Sequence, residues 1–507
     1  MMMRILLVAA LAAFASQSTA QSTEDAYGNP SAYRSSGVPD DFALLTRINQ
    51  ASVVMLRETN IVPEDVAIRL ARGIVKVAQA NAVPGAERPR DYLKYEPQLI
   101  AAAGPDGSLL HLGRSRQDMG STMTRMYLRE GFLAAYDSLS AARDRTLALA
   151  EKYPDVLIPA YTHGVQAQPT TVGHYMHALA SALGRDAARL RAAYARLNLS
   201  PLGAAVIGNS GYPIDRQRLA VLLGFDGVVE NAYDANHRSP VDSGLELATV
   251  LAISAVDIGQ FAQDLTAQYA DPSPWFLLTD GKLTGGSSIM PQKRNPVALT
   301  NLRHQASAIV GAMNTTFLFA HNTNTGMYDY RRPNVIPAFE AAAMYRLLAD
   351  IVGGIVVDAP RALAEIDAEY STMTEVADFL MLKAGVPFRN GHHFAAELAK
   401  FGRSRGLAPT QIPYAEAQRI YKRDAGQDLP LSEADFKQAL SAEYMVQSRK
   451  GIGGTQPAEI RRMLAGARDV LREDRAWGEA QRKHLAAAQS GLETTFSGLA
   501  SGNAASK

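Results

Sequence analysis

Residues 285–296 read Gly-Gly-Ser-Ser-Ile-Met-Pro-Gln-Lys-Arg-Asn-Pro, and this stretch is the most specific in the chain. Its glycines and serines predict a mobile loop, while Asn295 and Pro296 suit the N-cap and the first position of a helix. The loop should therefore lead into a long helix, whose N-terminus would attract an anion together with Lys293. A capped surface loop without function is the alternative reading. The hydroxyl, the lysine and the capping amide on one short loop argue against it.

Long helices surround this loop in the sequence. Stretches rich in alanine and leucine with helical spacing dominate, and strand patterns are sparse. Five long helices are predicted, at about 117–152, 170–197, 241–270, 296–322 and 334–358. We therefore expect an all-α fold with an elongated central five-helix bundle, flanked by two smaller helical domains.

The N-terminus resembles a secretory signal. Arg4 precedes an apolar run over residues 5–15, and small residues lead up to Gln21. The apolar run is too short to span a bilayer, which takes roughly 20 residues. We expect an exported, soluble and periplasmic protein. The predicted parts of the chain are a signal peptide (1–20), a flexible lead-in (21–40), an N-terminal helical domain (41–115), the central bundle (116–361), a C-terminal helical domain (362–496) and a disordered tail (497–507).

The composition excludes several kinds of chemistry and partner. Lys and Arg number 51 and Asp and Glu 50 in the 507 residues, so the formal net charge is +1. No bulk charge therefore attracts nucleic acid or an acidic membrane. The chain has no cysteine, which excludes disulfides, zinc-thiolate sites and a thiol nucleophile.

A second stretch, residues 161–174, reads Tyr-Thr-His-Gly-Val-Gln-Ala-Gln-Pro-Thr-Thr-Val-Gly-His. His163 lies on a loop beside Thr162 and is a candidate for proton transfer. His174 and His177 have a spacing that could bind a metal on a helix. No nearby carboxylate or third histidine completes a ligand set, so we interpret them as partly buried structural residues and predict no metal.

A third stretch, residues 111–118, reads His-Leu-Gly-Arg-Ser-Arg-Gln-Asp. Ser115, Arg116 and Gln117 precede a predicted helix and could together hold a carboxylate. A charged helix cap explains the same residues equally well.

Together the three stretches resemble the fumarase/aspartase superfamily, whose signature loop G-S-S-x-M-P-x-K-x-N-P matches residues 286–296 completely. Within that superfamily the chain is most similar to argininosuccinate lyase. The additional similar motifs are Pro-Ile-Asp-Arg (213–216), Leu-Gly-Phe-Asp-Gly (223–227), Gly-Val-Pro-Phe-Arg (385–389) and Gly-Gly-Thr-Gln-Pro (453–457).

The resemblance implies an enzyme, a carbon–nitrogen lyase that releases fumarate from an N-substituted aspartate by β-elimination. It implies a homotetramer with active sites shared between subunits, a small carboxylate-bearing substrate, and neither a metal nor an organic cofactor. The catalytic residues would be Ser287 as the base, His163 as the acid that protonates the leaving nitrogen, and Lys293, which stabilises negative charge. The substrate-binding residues would be Ser115, Arg116, Gln117, Thr162, Asn295, Tyr328 and Arg331.

The chain departs from the family pattern where the substrate would be recognised. Thr300 stands where the family has a glutamate oriented toward the catalytic histidine, and Gln117 replaces an asparagine. Of the segment that grips the arginine half, only Tyr328 remains, and Arg331 and Arg332 replace acids and amides. These changes favour a leaving group with negative charge. A superfamily enzyme with another leaving group, or a non-catalytic exported tetramer that binds or has a structural role, are the alternatives.

Overall fold

The computed structural model describes residues 40–327 and 331–502, except for the side chains of 331–336. The predicted signal peptide, residues 21–39 of the lead-in, Tyr328 and residues 503–507 lie outside this range.

The described residues form an all-α fold, as predicted. The helices are α1 (Asp41–Glu58), α2 (Glu64–Ala80), α3 (Tyr92–Ala103), α4 (Arg116–Lys152), α5 (Val172–Leu197), α6 (Arg216–Leu222), α7 (Ala232–His237), α8 (Ser239–Tyr269), α9 (Val297–Ala320), α10 (Arg331–Gly353), α11 (Ala359–Ala368), α12 (Met373–Ala384), α13 (Phe388–Arg405), α14 (Tyr414–Ala425), α15 (Glu433–Ala439), α16 (Ala442–Ser448) and α17 (Pro457–Ser501). Two 3-10 helices cover Pro105–His111 and Pro409–Gln411.

Short strands lie between some of these helices, and the strands pair two by two. They are β1 (Leu157–Thr162), β2 (Val165–Thr171), β3 (Leu199–Ser200), β4 (Gly227–Val228), β5 (Phe276–Leu278) and β6 (Ile355–Val357). β1 pairs with β2 and β5 with β6 in antiparallel fashion, whereas β3 and β4 are parallel.

The five predicted long helices are α4, α5, α8, α9 and α10, and they pack around one apolar core. The seam on α8 is buried as expected, including Leu247, Leu251 and Ile258. The last of the five helices was predicted to continue to 358, but α10 ends at Gly353 because β6 pairs with β5 immediately afterwards.

One helix of the described chain, α8, is long and apolar enough to cross a membrane. In its most apolar stretch of 18 residues, 56% is buried inside the protein. Its neighbours are α5, α9 and α10. We interpret its apolar character as that of a core helix in the bundle.

The C-terminal helix α17 joins the regions on either side of the bundle. At 45 residues it is about 68 Å long, and it contacts α1, α2, α4 and α5. Leu492, Phe496 and Leu499 belong to the apolar core of the N-terminal region. The predicted disorder is therefore wrong for residues 497–501, which stay helical because the buried Leu499 anchors them.

Candidate active site

Residues 286–294, called the signature loop below, are closed at their base by backbone pairing. The N–H of Gly285 donates to the Asn295 carbonyl at 2.9 Å, and the Asn295 N–H donates to the Gly285 carbonyl at 2.7 Å. The Asn295 side-chain amide also donates to the Gly286 carbonyl, at 3.1 Å. The loop therefore leaves and rejoins the protein at one point.

Ser287 is half-buried in this loop, and its hydroxyl oxygen faces two backbone donors. The N–H groups of Ile289 and Met290 lie 3.4 and 3.2 Å from Ser287 Oγ. Hydrogen bonds donated to an oxygen favour its anionic form. This arrangement suits the predicted role of Ser287 as an alkoxide base.

Two cations on the signature loop have different surroundings. Arg294 forms an ion pair with Asp280 at 2.6 Å and donates to the Leu278 carbonyl at 3.0 Å. The ammonium group of Lys293 is exposed and makes no ion pair within the part of the chain that the structure describes. Of these two cations, Lys293 is therefore the one that can meet a substrate anion.

The start of α9 differs from the prediction. The N-cap is Pro296, not Asn295, and it makes no side-chain capping bond. The first backbone N–H groups of the helix donate to the carbonyls of Asn295, Leu283 and Pro296, at 2.9 to 3.1 Å. The expected anion site at the helix N-terminus is therefore wrong, because protein carbonyls already accept these hydrogen bonds. Thr300 is exposed on the first turn of α9.

His163 occupies the tip of the β1–β2 hairpin. Thr162 pairs with Val165, so His163 and Gly164 form a two-residue turn in which φ is +55° and +75°. Positive φ at both positions matches the twist of a hairpin, and histidine tolerates the left-handed region better than most residues. Thr162 and His163 are consequently exposed together.

Contacts with α11 and the residues after it anchor this hairpin. The Tyr161 hydroxyl donates to the carboxylate of Glu365, and the Gln166 amide donates to the hydroxyl of Ser371. Burial is the main cause that raises the pKa of Tyr161, so the phenol stays protonated and acts as the donor. Sequence analysis missed Glu365 because 204 residues separate it from Tyr161.

His174 has two protein partners. One ring nitrogen lies 3.0 Å from Thr170 Oγ1 and the other lies 3.0 Å from the Gly453 carbonyl. His177 is half-buried, and burial lowers its pKa. The contacts of His174 and the burial of His177 support the structural interpretation of both histidines.

Ser115 is the N-cap of α4, in a reciprocal capping box with Asp118. The buried Asp118 also accepts hydrogen bonds from the N–H groups of Gly203 and Ala205, at 2.9 and 3.1 Å. Burial raises the pKa of Asp118 to about 6. The helix-cap reading is thus confirmed for Ser115. Arg116 is exposed in part and lies 3.5 Å from Asp91.

Gln117 is buried beside a histidine that sequence analysis missed. Its side-chain nitrogen lies 3.4 Å from both the Asn236 carbonyl and Nδ1 of His237. His237 Nε2 lies 3.0 Å from the Val206 carbonyl, so we assign its proton to Nε2, and Nδ1 accepts from Gln117. The amide nitrogen of Gln117 therefore faces the protein interior.

Gly326 also lies against His237. A side chain at this position would come within 3.4 Å of His237 Nδ1. The segment that leads to Tyr328 and Arg331 therefore begins beside Gln117. Tyr328 itself, and the side chain of Arg331, are outside the described residues.

Comparisons with known proteins match the chain to one group of enzymes. A model of the family described as "Lyase" matches residues 73–311, and one described as "Argininosuccinate lyase C-terminal" matches residues 370–447. The argininosuccinate lyase of Methanosarcina mazei is 32% identical over 433 residues, covering 84% of this chain and 86% of that protein. Argininosuccinate lyase 2 of Agrobacterium fabrum is 34% identical over 468 residues, covering 89% and 91%.

The chain belongs to the argininosuccinate lyase family of the fumarase/aspartase superfamily. Solved structures agree. EDDS lyase in complex with formate has a TM-score of 0.85 and 28% sequence identity, covering 94% of this chain and 96% of that one. A variant of EDDS lyase with bound fumarate gives the same values.

A single chain of this argininosuccinate lyase family member does not bring the three segments together. Ser115–Gln117 lie at the start of α4, whose 37 residues span about 55 Å, and the β1–β2 hairpin follows its end. The 31 residues of α8 span about 46 Å. The helix begins after His237, which lies beside Gln117, and it ends before β5, which lies beside the signature loop. One end of the bundle therefore carries Ser287 and His163, and the other carries Gln117.

Proposed function

We propose that this protein is a carbon–nitrogen lyase that releases fumarate and an amine from an N-substituted aspartate by β-elimination. The observation that carries the proposal is the signature loop. It places two backbone N–H donors on Ser287 Oγ and keeps the Lys293 ammonium unpaired within the described chain. The family membership and the similarity to EDDS lyase support the same reaction.

In the proposed reaction, Ser287 removes the proton on the carbon next to a substrate carboxylate. The electron pair of the C–H bond passes into that carboxylate, where Lys293 and Asn295 stabilise the added negative charge. The pair then forms the double bond of fumarate while the C–N bond breaks. The leaving nitrogen takes the bonding electrons and receives a proton from His163, and Thr162 helps to bind the substrate.

We propose that the other end of the bundle holds the fumarate half and the leaving group. Arg116 is half exposed, and its guanidinium would exchange its 3.5 Å contact with Asp91 for a substrate carboxylate, with Ser115 and Gln117 beside it. Gln117 would contribute to the shape of the binding site, since the Gln117 amide nitrogen donates toward the protein interior. In the sequence, Arg331 and Arg332 stand where the family has acids and amides, so a leaving group with negative charge suits this protein better than a guanidinium does.

We infer that the active sites are shared in a homotetramer. The separation of the segments in one chain supports this proposal, because a site that used all three segments would need at least two chains. The outer faces of α8 and α9 carry exposed apolar residues that would suit an interface, among them Val256, Phe317 and Leu318.

Export to the periplasm remains a proposal from residues 1–20. Protein isolated from the periplasm should begin at Gln21. A periplasmic sample that still starts at Met1, or protein found only in the cytoplasm, would contradict it.

The substrate proposal is tested with purified protein and a panel of N-succinyl amino compounds. Fumarate release is followed by ultraviolet absorbance. The panel contains argininosuccinate, N-succinyl derivatives of neutral amino acids and N-succinyl derivatives of acidic ones. We expect the acidic leaving groups to react fastest. If argininosuccinate is the best substrate, the proposed anionic leaving group is refuted. If no compound releases fumarate but the protein still binds added fumarate, a non-catalytic binding protein is favoured.

A further inference from the structure

The β1–β2 hairpin is held only weakly by its own strands between its base and its tip. Pro159 and Pro169 are opposite each other in the register, and neither has an N–H group to donate to the ladder. The register then shifts between Ala160 and Tyr161, because Ala167 is an extra residue on β2. An isolated two-stranded hairpin is only marginally stable in water. The direction of the tip therefore depends on contacts outside the hairpin.

The register shift brings two polar side chains onto one face of the hairpin. It pairs Tyr161 with Gln166, and residues directly opposite each other on two strands point to the same side. The Tyr161 hydroxyl donates to the carboxylate of Glu365 on α11. The Gln166 amide donates to the hydroxyl of Ser371, after α11. Each strand is therefore held at one residue, immediately before and after the exposed tip (162–165).

The helix α11 gives these contacts a firm support. The N–H group of its N-cap residue, Asp358, donates to the Trp275 carbonyl at 2.8 Å. Ala362 and Ile366 on the inner face of the helix are fully buried. Displacing α11 would break this anchor and expose apolar surface, so the hairpin moves relative to α11 only when its own contacts break.

The Tyr161 hydroxyl is the main polar partner of Glu365. Within residues 40–327 and 331–502 the Glu365 carboxylate makes no ion pair. Burial raises the pKa of Glu365, and the hydrogen bond from Tyr161 is the largest effect against that rise. A hydrogen bond to a carboxylate is stronger than one between neutral groups. The contact between Tyr161 and Glu365 is therefore the stronger of the two anchors.

We propose that Glu365 is a positioning residue for the β-elimination. By holding Tyr161, it fixes the direction in which the hairpin presents Thr162 and His163 to the substrate. The inference rests on the proposed function, in which His163 protonates the leaving nitrogen. A proton donor works only within hydrogen-bond reach, and a displacement of about 1 Å can lower a rate by about a hundredfold.

Fumarate release by variants of this contact tests the positioning role. Tyr161→Phe removes only the hydroxyl, Glu365→Ala removes the acceptor, and Glu365→Gln keeps an acceptor oxygen. We expect kcat to fall about tenfold to a hundredfold in the first two and to stay within about threefold of the wild type in the third. The double variant Tyr161→Phe/Glu365→Ala should be within about twofold of Glu365→Ala, because both changes break one contact.

Glu369→Ala is the matched control. Glu369 follows the last residue of the same helix, but its carboxylate pairs with Arg403 at 3.0 Å and not with the hairpin. Its kcat should stay within about twofold of the wild type. Thermal unfolding confirms that each variant is folded, and the contact of Gln166 with Ser371 keeps the hairpin attached when Tyr161 loses its partner.

The leaving amine separates positioning from a general loss of folded sites. An alkylamine needs a proton in order to leave, whereas the less basic aniline leaves with less help from an acid. The loss of kcat in Tyr161→Phe should therefore be about fivefold larger, or more, for an N-alkyl aspartate than for an N-aryl aspartate. A variant with fewer folded sites would lose the same fraction of activity with both.

Amide hydrogen exchange over residues 161–168 gives a readout that needs no turnover. Exchange should be faster in Tyr161→Phe and Glu365→Ala than in the wild type, and unchanged in Glu369→Ala. The proposal is overturned if exchange does not change, or if the wild type releases fumarate and Tyr161→Phe matches it with both amines. If the wild type itself releases no fumarate, the proposed function fails and the positioning role fails with it, so the wild-type rate tells the two failures apart.

Discussion

Two inactive variants of this protein should restore activity to each other when their subunits mix. The first variant is Ser287→Ala, at one end of the bundle, and the second is Arg116→Ala, at the other end. Within one chain these ends are separated by the length of α4, about 55 Å for its 37 residues. In the proposed homotetramer, a complete site would therefore take Ser287 and Arg116 from different subunits.

The size of the recovery follows from random mixing. In an equal mixture each of the two required residues is intact with probability one half, so about a quarter of the sites are complete. Each variant alone should give almost no fumarate. The variants are co-expressed with different affinity tags, mixed tetramers are purified through both tags, and fumarate release is compared with the wild type.

A second mixture provides the control. Wild type mixed equally with the double variant Ser287→Ala/Arg116→Ala should retain about a quarter of the activity if the residues come from different chains, and about half if they come from one chain. No recovery in the first mixture together with one half in the second would refute the shared site.

Three further expectations concern stability and the positioning of the site. Asp118 has a pKa raised from 3.8 to about 6, so its ionisation opposes folding by up to about 3 kcal/mol at pH 7. In urea titrations, the free energy of unfolding of the wild type minus that of Asp118→Asn should therefore fall as pH rises from 4 to 7. If this difference in free energy stays constant over that pH range, the raised pKa is contradicted. Gly354→Ala should cost about 1–3 kcal/mol and reduce activity, since the added Cβ would lie 2.2 Å from Leu283 at the base of the signature loop. The control is Gly353→Ala, whose Cβ would meet nothing closer than Arg145 at 4.0 Å. Equal melting temperatures for the two variants would show that the contact with Leu283 is not the cause of the lost stability. His163→Val should destabilise the hairpin by about 1–2 kcal/mol because of the positive φ, whereas His163→Asn should not; equal thermal stability of the two would show that the turn is not strained.

Helical periodicity made the bundle predictable, and side-chain pairing over long sequence distances did not. The five long helices could be located because each carries an apolar stripe of several turns, as in Leu247 to Leu265 on α8. The β1–β2 hairpin was missed because Pro159 and Pro169 interrupt its strands and its turn is only His163 and Gly164. The helical tail was missed because its small polar residues gave no sign that Leu499 would be buried.

The candidate site shows the same division. The loop carrying Ser287 and Lys293 was identified from local sequence. The partners of Gln117 were not, since His237 lies 120 residues away and only the packing of α7 against the start of α4 brings them together. The free helix N-terminus was predicted wrongly because Leu283, an upstream loop residue, supplies the carbonyl that accepts from Ala298.

Fumarate release by Ser287→Ala, compared with Ser288→Ala, tests the central claim most directly. The two serines are neighbours on the signature loop, but only Ser287 Oγ faces the N–H groups of Ile289 and Met290. With the best substrate from the panel, Ser287→Ala should lower kcat by at least about a thousandfold while the protein still binds fumarate, because it removes the base. Ser288→Ala should stay within about threefold of the wild type. Unchanged turnover in Ser287→Ala would contradict the assigned base and, with it, the proposed elimination.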